Sequence, residues 1–504
     1  MRSKNAIKTL TIYLTYEILV FVLSIIFPRF IILTYGSEIN GLTSTITRIL
    51  SFINLIQAGA VGSAIFQMYK PVAENDYDAQ SKIMYASRKF YCKITIIYLI
   101  IALAAGIFYS FYLRNENLTF IEIFLSFLVL TINGAGVLLF NSLCDIFESA
   151  HQKKYYLIIA AIIEQIIRYG LLVFVLVYKL HFIFIYLCYL LGGVVSVVIN
   201  LITYKKMSRG IITNSPSDKN YRIPDRKYLM LSSFGSELVT ISPTIIITTV
   251  IDLVYSSIFS IYAMIFTSLK TILNSIQLSF SAIFGNLTKT SSDEKISSVH
   301  SLIELITLMV GLIVSSCAGF LIIPFIKLYT SGADVNYLFN NLSIFVVVYI
   351  LIFAFRTSFS YISTVYGLFK DTCKITLFFG ITGIIISLLC VLFFGMPYVM
   401  IGLLYNQAGC SVTTLLIIKK KVPWFRTKRL FIRSSLMFSF AALFTTMFFV
   451  LEPSVDGWMS WVLFGAILVF INIFIVFIYC ILFERKYLKM LTNYIKAFFN
   501  TKRG

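Results

Sequence analysis

The sequence predicts an all-α polytopic membrane protein of about fourteen transmembrane helices, arranged as two pseudo-symmetric six-helix lobes plus two carboxyl-terminal helices. Three observations carry the membrane class and the span count: an apolar composition, fourteen long apolar runs, and basic residues gathered in alternate connections; the lobes rest on an internal repeat. Of 504 residues, 59% are hydrophobic and 13% charged, about half the charged share of a soluble domain. A spanning helix needs about 20 mostly apolar residues, so the length holds the spans and leaves little for any extramembrane domain.

The runs fall at 9–33, 41–66, 91–113, 119–143, 156–178, 181–203, 229–251, 256–285, 300–325, 339–366, 373–395, 397–418, 431–451 and 458–482. Arg2 to Lys8 before the first run resemble the start of a signal peptide, but the run extends to Leu33 without a small-residue cleavage site and reads as a retained span. Basic connections include Lys70 with Lys82, Arg88 and Lys89; Lys153 and Lys154; Lys205 to Lys227; and Lys419 to Arg429. The intervening connections, such as Asp252 to Ser257 and Gly395 to Pro397, are short and poor in Lys and Arg. The positive-inside rule then makes both termini cytoplasmic and the number of spans even. The net charge of +20 follows from this topology and from attraction to anionic inner-leaflet lipid, so nucleic-acid binding is not indicated.

The second span ends in Ser63-Ala-Ile-Phe66 and the eighth in Ser281-Ala-Ile-Phe284. Glu17 and Pro28 of the first span have counterparts in Glu237 and Pro243 of the seventh. Two parallel repeats follow: a lobe at 1–204, a cytoplasmic linker at 205–228, a second lobe at 229–418, two further spans within 419–482, and a basic amphipathic tail at 483–504. Both prolines are candidate hinges.

Charged side chains cost about 2.5 to 3.5 kcal/mol each near the middle of a span, so those present should face protein or water. Helical spacing puts Lys270, Asn274, Gln277 and Ser281 on one face of the eighth span, and Arg356, Ser360 and Ser363 on one face of the tenth. Arg48 shares a face of the second with Ser44 and Ser51. Such cationic faces suit a cavity for an anionic group. Glu17, Glu237 and Glu122 form an acidic set, able to carry H+ or Na+ as a coupling ion or to pair with a neighbouring cation. Glu164 and Arg168, four apart on the fifth span, read as an internal ion pair. Eight cysteines without a CxxC pair and three distant histidines suggest neither a disulfide framework nor a metal site, and no cofactor is expected.

The segment Arg29-Phe-Ile-Ile-Leu-Thr-Tyr-Gly-Ser-Glu-Ile-Asn-Gly-Leu42, with Gln57-Ala-Gly-Ala-Val-Gly-Ser63, resembles the opening of Wzx-type polysaccharide flippases of the multidrug/oligosaccharidyl-lipid/polysaccharide exporter superfamily. Glu148-Ser-Ala-His-Gln-Lys-Lys-Tyr155, Tyr366-Gly-Leu-Phe-Lys-Asp371 and Gly402-Leu-Leu-Tyr-Asn406 extend the likeness along the chain. The resemblance implies a bacterial plasma-membrane transporter with a V-shaped cavity alternately open to each side. Its substrate would be undecaprenyl-pyrophosphate-linked oligosaccharide, and a polysaccharide polymerase and glycosyltransferases would be its partners. Arg48, Lys270 and Arg356 would be the substrate-binding cations.

Three other functions remain open on the residues: a cation-coupled drug antiporter of the same superfamily, a lipid II flippase, and a polytopic polymerase or glycosyltransferase. The antiporter would favour aromatic and acidic residues over cations in its cavity. The enzyme would need paired carboxylates in a large outward loop, whereas the longest, about 326–338, holds only Asp334.

Overall fold

The computed structural model describes residues 2–57, 59–213, 217–218, 221, 226–451, 455, 457–490 and 492. Within them the chain forms sixteen α-helices and no strand. Fourteen of these helices, ten alone and four as two interrupted pairs, make twelve segments long and apolar enough to cross a membrane, against the fourteen spans predicted. The predicted seventh and thirteenth spans are helical, Arg226–Val250 and Thr427–Leu451, but are not among the twelve. Of the former, the apolar stretch among the described residues is Glu237–Val250. Tyr494, Ile495 and Phe498 of the predicted tail, and Lys219 and Arg222 of the predicted linker, lie outside the described residues.

The chain divides into two compact units, residues 1–260 with 332–335, and 261–331 with 336–504. The first contains α1 (Arg2–Tyr35), α2 (Ser37–Asn54), α3 (Ala60–Glu74), α4 (Tyr77–Tyr112), α5 (Phe120–Gly136), α6 (Ser142–Ala150), α7 (Tyr155–Val177), α8 (Ile183–Ser208), α9 (Arg226–Val250) and the first turns of α10 (Leu253–Thr290). Helix α7 packs on α1 and α8, and α5 on α4 and α8. The predicted second span is two helices: α2 ends in a 3-10 turn at Leu55–Gln57, and α3 restarts after Gly59 at φ 76°, a left-handed conformation open to glycine at little cost. The fourth predicted span is likewise interrupted by a π-turn at Val137–Asn141 between α5 and α6. Pro28 and Pro243 sit inside unbroken helices.

Within this unit α9 packs on α2 and α3. A hydroxyl-rich seam joins them: Thr45 Oγ1 lies 2.7 Å from Thr248 Oγ1 and 3.1 Å from Ser256 Oγ, and Asn40 Nδ2 donates to Ser257 Oγ at 2.7 Å. Asp334 caps α2, accepting from the Ser37 amide at 3.0 Å. That places a carboxylate on the unsatisfied amides of a helix amino terminus.

The second unit contains the rest of α10, α11 (Asp293–Tyr329), α12 (Asn340–Val365), α13 (Phe369–Phe394), α14 (Met400–Lys421), α15 (Thr427–Leu451) and α16 (Trp458–Phe483). Buried α11 packs on α12, α15 and α16. Helices α13 and α14 approach closely through Gly383 and Gly402. Helix α16 leaves Met459, Phe470 and Phe483 exposed, apolar surface suited to lipid.

Candidate functional site

Every candidate site residue lies on a helix. In the first unit Arg48 is half-buried on α2, one turn beyond the Thr45 seam, and the nearest acidic influence on it is Glu237 of α9. The repeat-related pair thus has different surroundings. Glu237 is exposed and acts on Arg48, whereas Glu17 on α1 is half-buried and accepts a hydrogen bond from Tyr13. Glu122 occupies the first turn of α5, where it forms a capping box with Thr119, Oε2 accepting from the Thr119 amide at 2.9 Å, while Oε1 lies 3.0 Å from His181 Nε2. Its carboxylate is therefore engaged in holding the start of a helix. The Glu164–Arg168 ion pair forms as expected, and the guanidinium lies 4.6 Å from the centroid of the Tyr189 ring.

In the second unit α10 and α12 meet in register. Lys270 Nζ lies 5.5 Å from the centroid of the Phe353 ring, and Gln277 Nε2 donates to Ser360 Oγ at 3.1 Å. Each pair is 83 positions apart, and seven residues separate the two contacts, so the helices run parallel with matching turns. Between Phe353 and Ser360 stands Arg356, half-buried, whose Nη1 donates to Gln407 Oε1 on α14 at 3.1 Å. Lys270, Gln277, Arg356 and Ser360 therefore belong to one polar band across three helices. Asn274 is half-buried on α10 between Lys270 and Gln277. The Ser281 side chain lies outside the described residues. Lys270 thus meets an aromatic face and Arg356 a neutral amide, contacts that hold each cation in place. Such a band can hold an anion by charge-assisted hydrogen bonds.

Gln407 escaped the sequence reading, although it directly follows Asn406 of the Gly402–Asn406 motif within an apolar helix. Arg433 and Glu304 escaped as well. They are joined by a 2.8 Å hydrogen bond between α15 and α11, and the signal available was a charge inside each of two predicted spans.

No family model and no curated protein sequence matches the chain. Solved structures do. The chain is similar to the lipid II flippase MurJ in an inward closed conformation, with 14% identity and TM-score 0.69 over 94% of this chain and 100% of that one. It is similar to an inward-facing multidrug resistance MATE family transporter of the MOP superfamily, with 13% identity and TM-score 0.62 over 83% and 95% of the two chains. The eukaryotic MATE transporter AtDTX14 gives 13% identity and TM-score 0.55 over 86% and 99%. The chain is a polytopic membrane protein with the fold that MurJ and the MATE transporters share.

Proposed function

We propose that this protein is an alternating-access transporter that flips a polyprenyl-pyrophosphate-linked glycan across the bacterial plasma membrane. The observation that carries the reading is the charged band of the second unit, where Lys270 and Arg356 stand on facing, register-matched helices. A pyrophosphate brings about two negative charges into the membrane, and leaving them unpaired costs several kcal/mol, so its carrier must present cations along the way. Arg48, Lys270 and Arg356 supply them, and Asn274, Gln277, Ser281 and Ser360 supply neutral hydrogen bonds. Likeness to the lipid II flippase over that protein's whole length supports a lipid-linked cargo. The sequence motifs point more narrowly to an undecaprenyl-pyrophosphate-linked oligosaccharide for surface polysaccharide.

The test is depletion in the native host with assay of the leaflet in which lipid-linked intermediates accumulate. Inner-leaflet oligosaccharide with intact wall synthesis supports the narrower reading. Inner-leaflet lipid II with wall arrest makes lipid II the cargo. Unchanged distribution of both removes the proposal. Drug efflux is the second reading, favoured by the likeness to MATE transporters and by the carboxylates Glu17 and Glu237, which could couple export to H+ or Na+. It requires drug hypersensitivity on depletion with normal lipid distribution.

A further inference from the structure

Two cavities adjoin at the end of the second unit where α11 and α15 begin and α16 ends. One, of about 590 Å³, is polar and is lined by Asp293, Glu294, Arg426, Lys428, Arg429 and Lys486 together with Trp424. The other, of about 740 Å³, lies between α15 and α16 and is walled by apolar side chains including Ile432, Leu436, Phe440, Ile475 and Leu482. Arg429, Lys486 and Tyr487 line both. They form the partition between a charged chamber and an apolar groove.

Charges of both signs face the polar chamber without meeting. Among the described residues, Arg426, Lys428, Arg429 and Lys486 close no ion pair with Asp293, Glu294 or any other carboxylate. Arg429 is held in place by its Nη1 donating to the Tyr487 hydroxyl, and Tyr487 is buried. The amino terminus of the 37-residue α11 opens on the same chamber, adding amide donors to the cations. A dominant cationic lining beside a groove of chain-like character complements one class of molecule: a headgroup bearing phosphate, continuous with an acyl chain.

We propose that these joined cavities are a binding site for an anionic glycerophospholipid of the leaflet at the basic ends of the spans. The phosphate sits among Arg426, Lys428, Arg429 and Lys486, and one acyl chain lies between α15 and α16. The lipid then ties α15 and α16 to α11, separately from the residues assigned to the cargo. Because this end carries Lys419 to Lys421 and Arg485, it is the end predicted to face the anionic inner leaflet.

The test is native mass spectrometry of the purified full-length protein in detergent, titrated with phosphatidylglycerol, phosphatidylcholine and soluble glycerol 3-phosphate. At roughly fivefold per cation near an anionic lipid, phosphatidylglycerol should bind at least about tenfold tighter than phosphatidylcholine. Lys428→Glu with Lys486→Glu should remove that preference, while Lys205→Glu with Lys206→Glu, at the exposed end of α8, should keep it. Ile478→Trp, which fills the groove, should weaken phosphatidylglycerol at an unchanged melting temperature. Equal binding of the two lipids, or equal losses in the α8 control, would overturn the proposal. So would glycerol 3-phosphate binding as tightly as the lipid, which would make free phosphate the ligand. Displacement of phosphatidylglycerol by polyprenyl phosphate at equal concentration would assign the groove to the cargo's chain instead.

Discussion

Arg433 Nη1 donates to Glu304 Oε1 at 2.8 Å, and both side chains are within 2% of full burial. The same guanidinium donates in bidentate fashion to Glu484, at 2.8 and 2.9 Å, and to the Ser301 carbonyl at 2.8 Å. One cation thus fastens α15 to α11 and to the end of α16. Burying it is tolerable only because its donors are matched by carboxylates and a carbonyl.

Removing one partner from such a site leaves buried charge and costs about 3 to 5 kcal/mol. Arg433→Met should therefore lower the melting temperature in detergent and the abundance in the membrane. Combining it with Glu304→Gln and Glu484→Gln should recover part of the loss. Fluorescence-detected size-exclusion after heating reads both effects, and no recovery in the triple variant would argue that packing of the guanidinium, not charge, is what matters.

Two glycines from the motif segments should behave oppositely. A Cβ on Gly41 would lie 1.9 Å from the backbone oxygen of Leu253, whereas one on Gly62 meets nothing within 4 Å. Gly41→Ala must displace a main chain and should cost about 1 to 3 kcal/mol or more. Gly62→Ala lies in a helix and should be neutral or slightly stabilising, by less than about 1 kcal/mol. Parallel melting curves of the two variants check the contrast.

The predicted topology rests on the basic connections. A Ser217→Cys probe in a cysteine-free background should resist an impermeant maleimide in intact cells and react after permeabilisation. Labelling of intact cells would place the connection outside.

Ion coupling through Glu17 or Glu237 predicts that Gln at both positions abolishes the dependence of transport on a proton or sodium gradient. The influence of Glu237 on Arg48 offers the competing outcome. If Glu237 only balances that cation, ion dependence survives and Glu237→Gln instead alters apparent affinity for the cargo.

Hydropathy located most of the spans because lipid exposure is a property of each segment by itself. The predicted 156–178 and 181–203 are helices Tyr155–Val177 and Ile183–Ser208. What it missed depends on partners distant in sequence. The helix break at Gly59 needs a positive φ that an apolar run does not announce. Arg433 meets carboxylates 129 and 51 positions away. Of the candidate site, the faces of α10 and α12 were legible from the 3.6-residue period, since Lys270 with Gln277 and Arg356 with Ser360 share bands on their helices. The 83-residue register between those helices, and the engagement of Arg356 by Gln407, were not, because helical period fixes a face and says nothing about its neighbour.

Export by Lys270 variants tests the central claim most directly. Lys270 stands within the apolar stretch of α10 with its ammonium over the Phe353 ring, too deep to reach either surface easily. Lys270→Ala and Lys270→Glu should abolish translocation of lipid-linked glycan at normal membrane abundance, and Lys270→Arg should retain much of it. Normal translocation by the Lys270→Glu, Arg356→Glu double variant would contradict the account.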